Sequence, residues 1–273
     1  MYKTANYLDH IKPMILISTG KLELTEILDK GYVILNWNDL NDQKIPDNLK
    51  NKVVFYGTDK DNCNVWIDNI KLEGYKNSFE LNFGVERVKI NYNHLGRYQI
   101  FPALAAATLG ILQGLSLIQI KKVLENVPVT EHNLQICLGP NDSVIIDDSF
   151  CSSLEEVQCA VDILLEIPGR RRIIVLGEIN CEGAVKEGIY QQIARRIYKE
   201  KIDFCLLGPG ETIETEEELK ALGFWEEKLE GNLQIPQIVS KLLNMLKKGD
   251  VCLIVSSRPT KFDEVIGRIT QRK

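Results

Sequence analysis

The amino-acid sequence predicts an α/β protein made of two differently organised domains. In residues 133–273, apolar segments of about five residues alternate with amphipathic segments of helical period, a pattern typical of a parallel, doubly wound sheet. Residues 1–128 instead mix apolar strands, β-rich runs and a helical stretch. The polar, proline-containing segment from Pro128 to Asn133 separates these patterns and predicts the domain boundary.

The N-terminal domain is predicted to contain a mixed sheet, a small antiparallel meander and helices. Apolar segments predict three strands at 13–18, 32–36 and 52–57, with a short helix at 22–30. Three β-rich runs without helical period predict the meander, at 64–74, 78–84 and 86–93. Residues 101–126 predict two helices broken at Gly114–Ser116.

The C-terminal domain is predicted to alternate strand and helix four times. The predicted strands are 144–148, 172–178, 203–208 and 250–257, and the predicted helices are 154–167, 185–200, 235–248 and 262–271. The basic run Arg170–Arg172 lies between a helix and a strand, and we expect it to be a solvated loop.

The composition indicates a globular protein and excludes several other classes. The 273 residues are 44% apolar and 26% charged, with a net charge of −5, which is typical of a globular protein and argues against nucleic acid as the main partner. Neither a membrane span nor a signal peptide is evident, so we expect a cytoplasmic location and no membrane partner. Seven cysteines without a CxxC pair and three dispersed histidines predict buried thiols, with no disulfide framework and no metal site.

Two carboxylates follow the apolar segment Val144–Ile146. Asp147, Asp148 and Ser149 come directly before a predicted helix start at Ser152 or Ser153. Ligands bind at the carboxyl ends of strands in open α/β sheets, so these residues are candidates for a binding site. The alternative is that the aspartates only cap and solvate a turn.

Besides Ile145–Phe150, four further motifs occur along the chain in the order found in a known protein family. They are Ile34–Asp39, Gly96–Ala107, Val175–Glu178 and Gly249–Arg258. In sequence and spacing they resemble motifs of the Mur ligases, specifically those that add D-alanyl-D-alanine to a muramoyl tripeptide. The resemblance covers nearly the whole chain.

The resemblance implies an ATP- and Mg²⁺-dependent amide ligase that proceeds through an acyl phosphate, and a Rossmann-like C-terminal domain. It further implies that the sequence begins partway through the central domain, without the UDP-substrate domain and the P-loop. The segment Ile15–Leu22 only superficially resembles a P-loop, because Ile15 and Leu22 replace its first glycine and its Mg²⁺-binding hydroxyl. We therefore expect no ATP contact from Lys21.

The sequence departs from the family mainly on the nucleotide side. Tyr98, Gln99 and Pro102 stand where the family has adenine-contacting His and Asn, and a proline has no side-chain donor. Cys151 and Val255 replace an asparagine and a lysine, and an interdomain arginine is replaced near His132.

Several family positions are retained. The resemblance implies nucleotide-proximal roles for Arg97, Gln99, Asp147, Asp148 and Ser149, and substrate-binding roles for Glu178, Ser257 and Arg258. Gly177 is also kept. The alternatives are an ordinary turn at Gly177 and Glu178, and a structural ion pair for Arg258.

Three functional hypotheses follow. The first is a degenerate or truncated Mur-ligase-like protein that is not catalytic alone and binds a cell-wall precursor, a peptide or a ligase partner. The second is the C-terminal part of a split ligase whose P-loop subunit is another polypeptide. The third is a generic nucleotide-binding module, which the missing GxGxxG motif disfavours.

Overall fold

A computed structural model describes residues 14–17, 32–40, 53–151, 153–180 and 188–270, with only the backbone given for 14–17. The chain divides into two compact units, Met1–Pro128 and Val129–Lys273, called unit 1 and unit 2 below. The helix expected at 22–30 lies outside the described residues. No helix among the described residues is long and apolar enough to cross a membrane.

Unit 1 contains a six-stranded mixed sheet with two helices. Its strands are β1 (Met14–Ile17), β2 (Tyr32–Asn36), β3 (Val53–Gly57), β4 (Val65–Glu73), β5 (Lys76–Phe83) and β6 (Glu86–Tyr92), and its helices are α1 (Arg97–Leu112) and α2 (Leu117–Leu124). The strands pair in chain order, β1 to β4 in parallel and β4 to β6 antiparallel. The meander therefore continues the parallel strands as one sheet.

The two helices of unit 1 have clear sequence causes. Gly114 ends the first with φ 85°, a backbone conformation that favours glycine. Ser116 begins the second through a capping box with Gln119. Their alanine- and leucine-rich faces pack on β4, β5 and β6 around Phe79, Leu81 and Leu104. The predicted break at Gly114–Ser116 is confirmed.

Unit 2 is a six-stranded sheet with five helices among the described residues. The strands are β7 (Gln135–Leu138), β8 (Val144–Asp148), β9 (Arg171–Leu176), β10 (Phe204–Leu207), β11 (Leu229–Glu230) and β12 (Asp250–Val255). The helices are α3 (Leu154–Glu166), α4 (Ile189–Lys199), α5 (Ile213–Ala221), α6 (Ile235–Met245) and α7 (Asp263–Ile269). The order is β11-β10-β9-β12-β8-β7, parallel except for β7. The α/β class is confirmed.

Several details differ from the sequence prediction. The edge strand β7 and helix α5 were not predicted from the sequence, and helix α6 ends at Met245, before its predicted end. The solvated loop expected at Arg170–Arg172 is wrong for Arg171 and Arg172, which begin β9. Their guanidinium groups bind nearby carbonyl and carboxylate oxygens, so long polar side chains at a strand start are compatible with partial burial.

Unit 2 should fold by itself, because its strands, helices and core lie within one stretch of chain. We expect a protein comprising residues 129–273 to unfold cooperatively in urea, with near-ultraviolet circular dichroism typical of fixed packing. The segment has to begin before β7, because β7 pairs with β8 along its length. A non-cooperative transition or loss of the near-ultraviolet signal would contradict this prediction.

Candidate functional site

Three neighbouring parallel strands end at the same edge of the unit 2 sheet. Strand β12 lies between β8 and β9, and Val255 pairs with Asp148 on one side and with Leu176 on the other. The segments that follow are polar. We call this region the carboxyl edge, defined as residues 147–151, 177–180 and 256–258.

Main-chain hydrogen bonds hold these segments together. Ser256 N donates to Asp148 O at 3.3 Å, and Ser257 N donates to Glu178 O at 2.8 Å. The predicted residues Asp148, Glu178, Ser257 and Arg258 therefore lie on adjoining segments of one edge. They are thus close in the fold although they are far apart in sequence.

Asp147 is fully buried and its carboxylate is used inside the protein. Oδ1 accepts hydrogen bonds from Ser149 Oγ at 2.7 Å and Ser149 N at 3.1 Å, and Oδ2 lies 2.8 Å from His132 Nδ1. The expectation that Asp147 is solvated is wrong, while its capping of the turn is correct. Asp147 and Ser149 have few free oxygen positions for a nucleotide.

His132 is a member of this cluster that was not predicted from the sequence. The same ring nitrogen, Nδ1, contacts Asp147 and lies 3.3 Å from Ser149 Oγ. A Ser-His-Asp relay uses the two different ring nitrogens, so this arrangement is not one. The His132 ring also packs on Phe150, with centroids 4.5 Å apart. No local motif could reveal it, because fifteen residues separate His132 from Asp147.

Asp148 is buried and has an altered acidity. Its side chain is 4% exposed, and Oδ1 accepts a hydrogen bond from Leu134 N at 3.2 Å. Burial raises the pKa of Asp148 to about 7; the Leu134 hydrogen bond opposes the shift, while Glu156 and Asp147 add to it. Asp148 therefore changes its charge close to neutral pH.

The Ser257 hydroxyl is also engaged by hydrogen bonds within the protein. Its Oγ donates to Cys151 O at 2.8 Å and accepts from Asn180 N at 2.6 Å, and the residue is 3% exposed. Burial raises the pKa of the neighbouring Cys151 thiol, which therefore stays protonated and unreactive. Ser257 joins two segments of the carboxyl edge and does not present its hydroxyl to solvent.

Glu178 is half-buried and connects β9 to the segment before α5. Its Oε1 accepts a hydrogen bond from Glu211 N at 3.0 Å. Gly210 has φ 93°, and a Cβ there would lie 2.1 Å from that oxygen, so glycine is required for the approach. Gly177 is required for packing as well, because its Cβ would lie 2.6 Å from Ser256 Cβ.

Arg258 differs from these residues because it is exposed. Its guanidinium carbon lies 4.6 Å from the centroid of the Phe150 ring. Among the described residues, no carboxylate pairs with it, so the structural ion pair is not observed. A guanidinium over a ring keeps its planar fork of N–H donors, the group that binds a carboxylate with two hydrogen bonds.

The remaining candidates lie in unit 1, at the beginning of α1. Arg97 is exposed, Gln99 is half-buried, and Tyr98 and Pro102 are exposed on the same helix. Of the P-loop-like segment, Ile15 lies within strand β1, paired with Val33, where a P-loop would have left its strand. Lys21 and Leu22 lie outside the described residues.

The carboxyl edge of unit 2 does not fit ATP and Mg²⁺ as this family would hold them. Val255 is fully buried and apolar, Cys151 is 2% exposed, and Asp148 faces inward. In the parts of the chain that the structure describes, no group of three His, Cys, Asp or Glu side chains is placed to hold a metal ion. Asp148 is thus the same residue type as in the family, but its carboxylate is buried and not accessible to a nucleotide.

Comparison with known proteins agrees with this architecture. The Mur ligase middle domain matches residues 4–110. The UDP-N-acetylmuramoyl-tripeptide--D-alanyl-D-alanine ligase of Buchnera aphidicola subsp. Baizongia pistaciae is 25% identical over 267 residues, covering 97% of this chain and 56% of that protein. The chain is related to the Mur ligases. This confirms the resemblance found in the sequence motifs.

Solved Mur ligases share the fold. MurF from Acinetobacter baumannii superposes with a TM-score of 0.71 at 18% identity, covering 90% of this chain and 53% of that one. MurF from Thermotoga maritima, solved in complex with ADP, has a TM-score of 0.67 at 16% identity, covering 87% and 53%. The chain spans between 38% and 56% of the length of three curated Mur ligases that it matches.

Proposed function

We propose that this chain is a Mur-ligase-like protein of peptidoglycan precursor synthesis that binds the carboxylate end of a short peptide at the carboxyl edge of unit 2, without itself transferring phosphate. The observation that carries the proposal is Arg258, which is exposed, stacked on Phe150 and not paired with a carboxylate among the described residues. The curated relatives are named for adding D-alanyl-D-alanine. This dipeptide is the ligand that we propose.

The chemistry of the edge suits a zwitterion. Arg258 supplies two parallel N–H donors for a carboxylate. Glu178, on the adjoining segment, is half-buried and has one oxygen engaged by Glu211 N, so in this proposal its Oε2 accepts the ammonium. Asp148, on the neighbouring segment, is buried and therefore unsuitable for binding an ammonium. Glu178 is the acidic partner in this proposal.

The second candidate function is ATP-dependent ligation, in which residues of another polypeptide supply the phosphate contacts. It is favoured by the relationship to ligases and by the ADP complex of one structural relative. The poor fit of Val255, Cys151 and Asp148 to a nucleotide argues against it. A generic nucleotide-binding module is disfavoured by the same misfit.

The central test replaces Arg258 in the full chain. We expect Arg258→Ala to weaken D-alanyl-D-alanine binding at least tenfold, about 1.4 kcal/mol, because the carboxylate loses both donors. Arg258→Lys should retain part of the affinity, since it keeps the charge but loses the planar fork. The free energy of unfolding should change by less than about 1 kcal/mol, because the side chain is exposed. Calorimetric titration and urea unfolding measure these two quantities.

Arg195→Ala is the matched control, since Arg195 is an exposed arginine of the same unit and lies on α4. It should leave dipeptide affinity unchanged. Equal binding by wild type and Arg258→Ala, or no binding by wild type, would refute the proposal. Calorimetry with Mg-ATP tests the alternative: the proposal expects affinity no tighter than about millimolar, and micromolar affinity would favour ligation.

A further inference from the structure

The side chains of Asp147, Ser149 and His132 form a hydrogen-bonded cluster next to Phe150. Asp147 and Ser149 are buried, and His132 is half-buried. Asp147 Oδ2 lies 2.8 Å from His132 Nδ1, and Asp147 Oδ1 accepts a hydrogen bond from Ser149 Oγ at 2.7 Å. The contacts proposed above for the dipeptide include none of these three side chains. Their place beside Phe150 nevertheless connects them to the peptide site.

The cluster holds the His132 ring against Phe150. The centroids of the two rings are 4.5 Å apart, with an angle of 44° between the ring planes. The main chains of these residues are also joined, because Phe150 N donates to His132 O at 3.2 Å. Asp147 fixes the orientation of the imidazole through Nδ1. The position of the Phe150 ring is therefore set by two contacts with His132, one through the rings and one through the main chain.

The same Phe150 ring contacts the guanidinium group of Arg258. The guanidinium carbon lies 4.6 Å from the ring centroid, and the ring attracts the cation. Phe150 is half-buried, whereas Arg258 is exposed. An exposed arginine side chain populates many rotamers, and binding a ligand costs the free energy of restricting them. A fixed ring under the guanidinium restricts these rotamers before the ligand binds.

We propose that Phe150 is a positioning residue of the dipeptide site, and that His132, held by Asp147, supports the Phe150 ring. This proposal rests on the function proposed above, in which Arg258 binds the carboxylate of the dipeptide. The buried cluster sets the position of the ring, and the ring sets the orientation of the guanidinium. The retained aspartate and serine of the Ile145–Phe150 motif then serve peptide binding through Arg258, without touching the peptide.

A purely structural contact between Phe150 and Arg258 predicts a different result. If the contact only stabilises the fold, removing the ring lowers the free energy of unfolding and leaves dipeptide affinity unchanged. If the ring positions the guanidinium, removing it weakens binding by about three- to tenfold, the usual cost of ordering one long side chain. Affinity and stability measured on the same variants therefore separate the two roles.

Calorimetric titration of the full chain with D-alanyl-D-alanine measures the affinity. Phe150→Leu removes the ring but keeps an apolar side chain, and it should weaken binding by about three- to tenfold. Phe150→Tyr keeps the ring and should restore affinity to within about twofold of wild type. In the Arg258→Ala background, Phe150→Leu should change affinity by less than about twofold, because the ring acts through the guanidinium. Equal affinities of wild type and Phe150→Leu would overturn the proposal.

Phe204→Leu is the matched control for removal of the ring. Phe204 is a half-buried phenylalanine of unit 2, and the guanidinium carbon of Arg171 lies 5.3 Å from its ring centroid. It begins β10 and thus lies away from the carboxyl edge. Its replacement should leave dipeptide affinity within about twofold of wild type. A loss as large as that of Phe150→Leu would overturn the proposal, because removing any such ring would then weaken binding.

Nuclear magnetic resonance measures the orientation of Arg258 in the absence of dipeptide. An aromatic ring shifts the signals of protons close to it, so the Nε–Hε signal of Arg258 should be displaced in wild type and move toward its unfolded position in Phe150→Leu. Loss of the signal in Arg258→Lys assigns it. His132→Asn should move it in the same direction, because it removes the supporting ring while asparagine tolerates the φ of 63°. An unchanged signal in either variant would overturn the proposal.

Failure of this proposal is distinguishable from failure of the proposed function. If wild type binds the dipeptide and Phe150→Leu binds it equally well, the function stands and the positioning role is overturned. If wild type does not bind the dipeptide, the function is refuted and the positioning role is refuted with it. Binding that Phe150→Leu weakens and Phe150→Tyr restores supports both.

Discussion

Replacing Arg171 by alanine should destabilise the protein by about 3–5 kcal/mol, because it leaves a buried carboxylate without its counter-charge. Asp250 is fully buried at the start of β12. Arg171 Nε donates to Asp250 Oδ1 at 2.9 Å, and its Nη2 binds Asp250 Oδ2 and, at 2.8 Å, Met245 O. One guanidinium thus joins β9, β12 and the end of α6.

The pKa of Asp250 supports this expectation. Burial raises that pKa, but the Arg171 and Lys247 hydrogen bonds outweigh burial and lower it below its usual range. A carboxyl group whose pKa is lowered by folding stabilises the protein above its unfolded pKa of about 4. This stabilisation is lost as the pH falls through the folded-state pKa. The difference in the free energy of unfolding between wild type and Arg171→Ala should therefore be largest at pH 7 and shrink as the pH falls, because Asp250 of the variant takes up its proton at a higher pH than Asp250 of wild type.

Urea unfolding at pH 7 measures the effect, and the neighbouring arginine provides the control. Arg172 donates to Leu164 O and Leu165 O, so Arg172→Ala leaves no buried charge unpaired and should cost only about 1–2 kcal/mol. Adding Asp250→Asn to Arg171→Ala should recover part of the loss. A loss for Arg171→Ala no larger than that for Arg172→Ala would show that the pair is not important for stability.

This ion pair also shows why sequence patterns could predict the fold only in part. The alternation of segments predicted helices α3 and α6, which bury one periodic face, and strands β9, β10 and β12, whose apolar residues are almost all buried. Strand β7 is an edge strand of four residues, QICL, with three half-buried residues, an exposed Leu138 and no distinctive period. The sequence predicts that Arg171 is solvated, because its partner Asp250 lies 79 residues away and no local pattern indicates the pair.

The candidate site was predictable in position but not in chemistry. The carboxyl ends of parallel strands lie at the same edge of a sheet, so the sequence could predict that Asp148, Glu178 and Arg258 lie close together. The burial of Asp147 and Asp148 could not be deduced, because their partners His132 and Leu134 adopt left-handed φ values of 63° and 51°. Such values are uncommon outside glycine and are maintained here by tertiary hydrogen bonds.

The buried carboxyl group of Asp148 should make stability depend on pH near neutrality. Its pKa is about 7 in the folded protein and about 4 in the unfolded chain. Between these values the folded state binds a proton that the unfolded state does not, so stability falls as the pH rises through this window. The loss is about 1.4 kcal/mol per pH unit and levels off above pH 7.

We therefore expect Asp148→Asn to be more stable than wild type by about 2–4 kcal/mol at pH 8 and to differ little from it at pH 4. An asparagine oxygen can still accept the Leu134 N–H, and the amide cannot ionise. Urea unfolding at pH 4, 5, 6, 7 and 8 would measure the difference. Asp142→Asn is the control, because the Asp142 side chain is 68% exposed and asparagine tolerates its φ of 58°. It should parallel wild type throughout, and parallel curves for Asp148→Asn as well would show that Asp148 ionises as it does in the unfolded chain.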